Sequence, residues 1–148
     1  MVSTHMTSAI CASFAMIIAA PCQAQEQNQG PPYSPVIEAN GVIYLAGHLG
    51  RIPGTSTYPE GGTGPQTTQA LTNIGATLDS VGASHADIVR CQVFLTEISD
   101  FSEMNDAYRP FFPETPPART TVEASALAGG AMVEIECTAV RGHSSRLD

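Results

Sequence analysis

A chain of 148 residues carries six arginines and no lysine. One of those arginines, Arg119, stands in the stretch PPARTTVE, where a stiff proline pair gives way to strand-forming residues. A guanidinium is a rigid fork of donors that matches a carboxylate bidentately. Fifteen positions on, MVEIEC holds Glu134 among alternating apolar residues. A carboxylate there can hold and polarise a water. Strand periodicity puts Arg119, Thr121 and Glu123 on one face, and Thr120 and Val122 on the other. The short turn LAGGA between the two strands predicts that they pair, so that Arg119 and Glu134 sit on neighbouring strands. Together they make a minimal site for a small substrate with a carboxylate and an electrophilic carbon. The plain alternative is a cross-strand ion pair, worth about 0.2–1 kcal/mol, which is the commoner use of such residues. Tyr33 at a strand entrance and Asn105 on a helix have equally plain readings, as a packing residue and a solvated polar one.

Other chemistries find less support. The formal net charge is −8. Affinity for nucleic acid rests on basic contacts, so an acidic, lysine-free chain argues against nucleic acid as a general partner and for a small ligand or a protein. Cys11, Cys22, Cys91 and Cys137 form no CxxC, and His48, His85 and His143 are scattered, so no metal site is expected. Cys91 and Cys137 lie in two separate strands; export would permit a disulfide between them, but such cysteines are more often buried small hydrophobes.

Placing the two candidate residues requires a folded domain. The apolar run TSAICASFAMIIAA is too short to span a bilayer. With small residues at Cys22 and Ala24, it reads as an export signal cleaved after Ala24, although Met1–Ala9 lacks the usual basic residue. A periplasmic or secreted protein with no stable membrane anchor is expected; the alternative is a cytoplasmic protein in which this run is a packed N-terminal helix. Residues 25–32 read as a polar linker, 33–142 as one domain and 143–148 as a tail.

Within the domain, Asn40-Gly41 predicts a tight hairpin between strands near 35–38 and 42–47. A loop rich in Gly and Pro follows, then a helix with Pro65 in its first turn and Gly82 past its end. Leu71, Ile74, Leu78 and Val81 share one face of that helix. DIVRCQVFLTE predicts a strand near 88–96. A second helix is expected after Asp100, capped reciprocally by Asp100 and Glu103. Phe101, Met104, Tyr108 and Phe111 or Phe112 mark its buried face, and Pro110 ends or bends it. Strands follow at 119–124 and 132–140. The order ββαβαββ predicts an α+β domain with two helices on one face of a mixed or mainly antiparallel sheet. In the last strand, Val133, Ile135, Cys137 and Ala139 belong under the helices. The other face is half apolar, with Ile88 and Phe94 on the central strand, and predicts self-association.

These segments together resemble the RidA family, also called YjgF or L-PSP endoribonuclease-like. The resemblance is carried by GPPYSPVIEANGVIYLAGHLG, TTQALTNIGATLDSVGAS, DIVRCQVFLTEISDFSEMNDAYRPFF and PPARTTVEASALAGGAMVEIECTAV, about residues 31 to 142. It implies a chorismate-mutase-like fold, a homotrimer with sites between subunits, and cofactor-independent, metal-free hydrolysis of 2-imino or enamine acids to 2-keto acids and ammonia. It implies that Arg119 binds the substrate carboxylate, that Glu134 positions the water, and that Tyr33 reaches the neighbouring subunit's cleft. Asn105 matches a family asparagine with a structural role. Ala46 and Gly47 also lie at the family's substrate site. Thr121 stands where well-known members have cysteine, and Ala46 where they have serine; these departures bear on substrate more than on reaction type. The other readings are a non-catalytic trimer that binds small carboxylates and, least favoured by the charge, a ribonuclease.

Overall fold

A computed structural model describes residues 31–142. The expected export signal and most of the linker and tail lie outside the described residues. Strand β1 (Val36–Ala39) turns at Asn40-Gly41 into β2 (Val42–Leu45), and Ala39 faces Val42 across a two-residue hairpin. Both turn residues have positive φ, 54° and 78°, the geometry that Asn-Gly favours. A short strand β3 (His48–Leu49) follows. Helix α1 (Thr63–Ser80), strand β4 (Ile88–Leu95), helix α2 (Phe101–Tyr108), strand β5 (Ala118–Glu123) and strand β6 (Val133–Val140) complete the chain order.

The sheet order is β1-β2-β6-β4-β5, with β3 also on β6. All pairings are antiparallel except β4 with β5. The sheet is therefore mixed, as the element order predicts. One expectation fails: β5 does not pair with β6. It lies parallel to β4 at the sheet edge, with Cys91 opposite Arg119. The cause is the β4–α2–β5 crossover, since strands joined through a helix run parallel.

The core fills one side. Ile74, Leu78, Val93, Val133 and Ile135 are fully buried between α1 and the sheet, and burying each is worth about 1.5–3 kcal/mol. Met104, Tyr108 and Phe112 extend it from α2 and the turn beyond. Phe101 departs from the expected buried face: it is 42% exposed, beside Arg119. Ile88 also departs, lying in the core rather than on the open face. A bulge between Ile88 and Arg90 shifts the alternation by one residue. The open face carries Ile37, Tyr44, Phe94 and Val122, of which Ile37 and Tyr44 are more than half exposed.

The ends of α1 are held by distant residues. Asp100 and Glu103 form no capping box on α2; a 3-10 turn leads straight into that helix. Both carboxylates instead serve the N-terminus of α1. Thr63 Oγ1 donates to Asp100 Oδ2 at 2.6 Å, and Gly64 N–H donates to Glu103 Oε1 at 2.7 Å. An acidic side chain belongs at that positive end of the helix dipole. At the C-terminus Gly82 takes φ +70°, while its N–H and that of Ala83 close back on Asp79 and Leu78. Arg141 donates to the Val81 and Gly82 carbonyls and pairs with Glu38 at 2.6 Å.

Cys91 and Cys137 face each other directly across β4 and β6, and they are joined as a disulfide. Both are buried, as expected, but bonded rather than free; strand register alone brings their Cα atoms to 4.1 Å. A cross-link over a sequence separation of 46 stabilises by about 4 kcal/mol through loop entropy. Replacing both residues by alanine is expected to lower stability to urea by about that amount. Non-reducing peptide mapping should recover the two strands as one linked fragment; free thiols at both positions would contradict the bond.

Candidate active site in two halves

Arg119 lies on β5 at the sheet edge, on the side covered by α2. Its Nη2 donates to Asn105 Oδ1 at 2.5 Å, and Nη1 lies 3.7 Å from Met104 Sδ. The guanidinium carbon sits 4.7 Å from the Tyr108 ring centre and 5.7 Å from that of Phe101. Aromatic faces hold a cation without consuming its donors. Among the described residues the one ion pair is Arg141–Glu38, and none of their carboxylates pairs with Arg119. Arg119 opens on a cavity of about 310 Å³ with Asn105, Tyr108, Phe112, Pro116, Pro117 and a second arginine, Arg109. The stiff proline pair thus lines the same pocket as the guanidinium. The Tyr108 hydroxyl is buried without a hydrogen-bond partner. Burial pushes its pKa up to about 12, against the pull of Arg119, so it stays a neutral phenol. Thr121 Oγ1 is likewise buried and unpartnered.

Glu134 belongs to a second cavity, of about 500 Å³, with Tyr33, Ala46, Gly47, His48 and Arg51 among its walls. The strand edge facing β6 carries one extra residue here. Tyr44 pairs with Thr138 and His48 with Ile135, so four steps match three. Such a bulge re-aims neighbouring groups. A Cβ on Gly47 would lie 2.0 Å from Glu134 Oε1, so glycine is what lets the carboxylate rest against the backbone. His48 turns inward: Nδ1 donates to the Ala46 carbonyl at 2.7 Å, and Nε2 meets Thr77 Oγ1 at 2.9 Å. Burial lowers the His48 pKa, opposed by the bond to that carbonyl. Glu134 has no hydrogen-bond partner among the described residues and remains half-buried.

The two halves do not meet within one chain. Cys91 lies opposite both Arg119 and Cys137, and that set faces the helices. Glu134 lies opposite Phe94, out of phase with the buried Ile135, and faces the open side. Neighbouring strands and a shared site are the expectation for Arg119 and Glu134, with a cross-strand ion pair as the alternative; β4 lies between their strands, and neither arrangement is present in the described residues. Asn105 joins Arg119, while Tyr33, Ala46 and Gly47 join Glu134. Residue chemistry alone missed Tyr108, read only as core, and Arg51, which sits in a loop without periodicity.

A family model described as endoribonuclease L-PSP matches residues 24–141 of the chain. The chain belongs to the RidA family. Among its relatives is the 2-iminobutanoate/2-iminopropanoate deaminase of Bos taurus, 40% identical over 111 residues, which are 75% of this chain and 81% of that one. Solved RidA-like structures share the fold. The RidA of an Antarctic Psychrobacter matches with a TM-score of 0.71 at 34% identity, over 75% of this chain and 89% of its own. The Escherichia coli protein TdcF, solved with bound serine, matches with a TM-score of 0.71 at 30% identity, over 76% and 90%. The α+β architecture with two helices is thus that of RidA proteins.

Proposed function

We propose that copies of this chain assemble as a homotrimer in which the Arg119 half of one protomer meets the Glu134 half of the next, and that the completed cleft hydrolyses small 2-imino acids to 2-keto acids and ammonia. The observation that carries this reading is the division itself. Among the described residues, a half-buried guanidinium without a carboxylate and a half-buried carboxylate without a partner open on opposite faces of one sheet. Each lacks what the other supplies. The half-apolar open face would be covered by the same assembly. The deaminase name of a relative at 40% identity, and the amino acid bound by TdcF, agree with a small carboxylate substrate.

The chemistry follows from the groups present. Arg119 Nη atoms clamp the substrate carboxylate, with Asn105 holding the fork in place. The protonated imine carbon is strongly electrophilic, so positioning supplies most of the catalysis. Glu134 orients a water and accepts its proton as the oxygen bonds to carbon. Glu134 then gives that proton to the carbinolamine nitrogen; as the C–N bond breaks and ammonia leaves, the hydroxyl forms the keto acid's C=O and passes its proton to the Glu134 carboxylate. Tyr33 closes the neighbouring cleft. No metal or organic cofactor enters these steps. The Cys91–Cys137 disulfide supports an oxidising compartment, in keeping with export.

The test generates imino acids with an amino-acid oxidase and traps them with semicarbazide. Added protein should lower the trapped product. If it does not, while a 2-keto acid still binds, the trimer is a carboxylate binder and not an enzyme.

A further inference from the structure

We infer that the Glu134 half of the site recognises a second anionic group, so that the preferred substrates are 2-imino acids whose side chains end in a carboxylate. The group that would do this is Arg51, which lines the same cavity as Glu134 and Tyr33. This rests on the deaminase reading, in which Arg119 takes the carboxylate next to the imine.

Arg51 is held in place by contacts at the edge of its guanidinium. Its Nε donates to the Tyr58 hydroxyl at 3.2 Å, and the Tyr58 ring centre lies 5.9 Å from the guanidinium carbon. The Tyr58 hydroxyl donates in turn to the Ala128 carbonyl at 3.0 Å. The turn before β6 is thereby tied to the loop before α1. At the next residue, Gly129, a Cβ would lie 2.4 Å from Arg51 Nη2, so the backbone rests against the fork and a side chain is excluded. Two loops thus converge on one arginine.

What they hold is a cation with donors to spare. Neither Nη of Arg51 makes a hydrogen bond, and no carboxylate pairs with it, among the described residues. In a chain of net charge −8, an arginine left without an acidic partner at a cavity wall is available to an anion from outside. Glu134 shares the cavity but forms no ion pair with it. With Arg119 taking one carboxylate and Arg51 another, the imine carbon lies between two cations with Glu134 beside it. A neutral side chain leaves Arg51 unused.

The experiment compares kcat/KM for imino acids made from glutamate and aspartate with those made from alanine and leucine, in wild type, Arg51→Gln and Arg51→Lys. The wild type is expected to favour the dicarboxylic imines. In Arg51→Gln the ratio of dicarboxylic to monocarboxylic kcat/KM should fall about ten- to a hundredfold, the loss of one charge-assisted pair. Arg51→Lys should recover part of it, since charge remains and the fork is lost. An unchanged ratio, or equal losses on both substrate types, overturns the inference. Calorimetric binding of 2-oxoglutarate against 2-oxobutanoate separates this from failure of the deaminase reading. A binding preference for the dicarboxylate that Arg51→Gln removes sustains the role of Arg51 even if no imine is hydrolysed; no such preference overturns it.

Discussion

Arg119→Ala is expected to lower kcat/KM for imino-acid hydrolysis by roughly thirty- to four-thousandfold, with KM raised. The magnitude follows from truncating one partner of a desolvated, hydrogen-bonded charge pair, about 2–5 kcal/mol, at about 1.4 kcal/mol per tenfold. The guanidinium is positioned by Asn105 and the Tyr108 ring. A lysine cannot reproduce that geometry, because an ammonium is a point charge without a fork. Arg119→Lys should therefore fall between wild type and the alanine variant. Neither change removes an ion pair among the described residues, so thermal melts should stay close to wild type while the kinetics collapse. A variant that released ammonia at the parent rate would show that carboxylate binding lies elsewhere.

Glu134→Gln is expected to leave KM nearly unchanged and to lower kcat by roughly a hundred- to ten-thousandfold, the usual range for losing a positioned general base. Glutamine is nearly isosteric, and the space beside Gly47 that admits the carboxylate also admits an amide. Binding of a 2-keto acid should survive. The contrast between the two variants is the point: one residue holds the substrate and the other acts on the water. If Glu134→Gln instead raised KM and spared kcat, Glu134 would be a binding residue.

Much of the scaffold is legible from residue types with local consequences. Asn40-Gly41 specifies a two-residue hairpin because few other pairs tolerate positive φ twice. Gly82 ends α1 for a similar reason, and Leu71, Ile74 and Leu78 mark its buried face. Long-range pairing is less legible. The short LAGGA turn suggests that β5 and β6 form a hairpin, yet β4 lies between them. The signal against that hairpin was present: α2 separates β4 from β5, and a helical crossover makes its flanking strands parallel. Asp100 and Glu103 have the spacing of a capping box, but a helix N-terminus from another part of the chain competes for both carboxylates. Cys91 and Cys137 meet through register, which composition does not encode. The site residues are legible as types and not as an arrangement. Alternation assigns each of Arg119 and Glu134 a face of its own strand, but only the three-strand register shows those faces to be opposite.

The division of the site between protomers is tested most directly by mixing. Arg119→Ala and Glu134→Gln chains, carrying different affinity tags, are co-expressed, and trimers holding both are isolated by two successive purifications. Each parent alone should be nearly inactive. In a ring of three, every mixed trimer has one junction where an intact Arg119 faces an intact Glu134, so roughly a third of wild-type activity is predicted. Mixed trimers no more active than their parents would mean that both groups must come from one chain, contrary to the opposed faces on which the account stands.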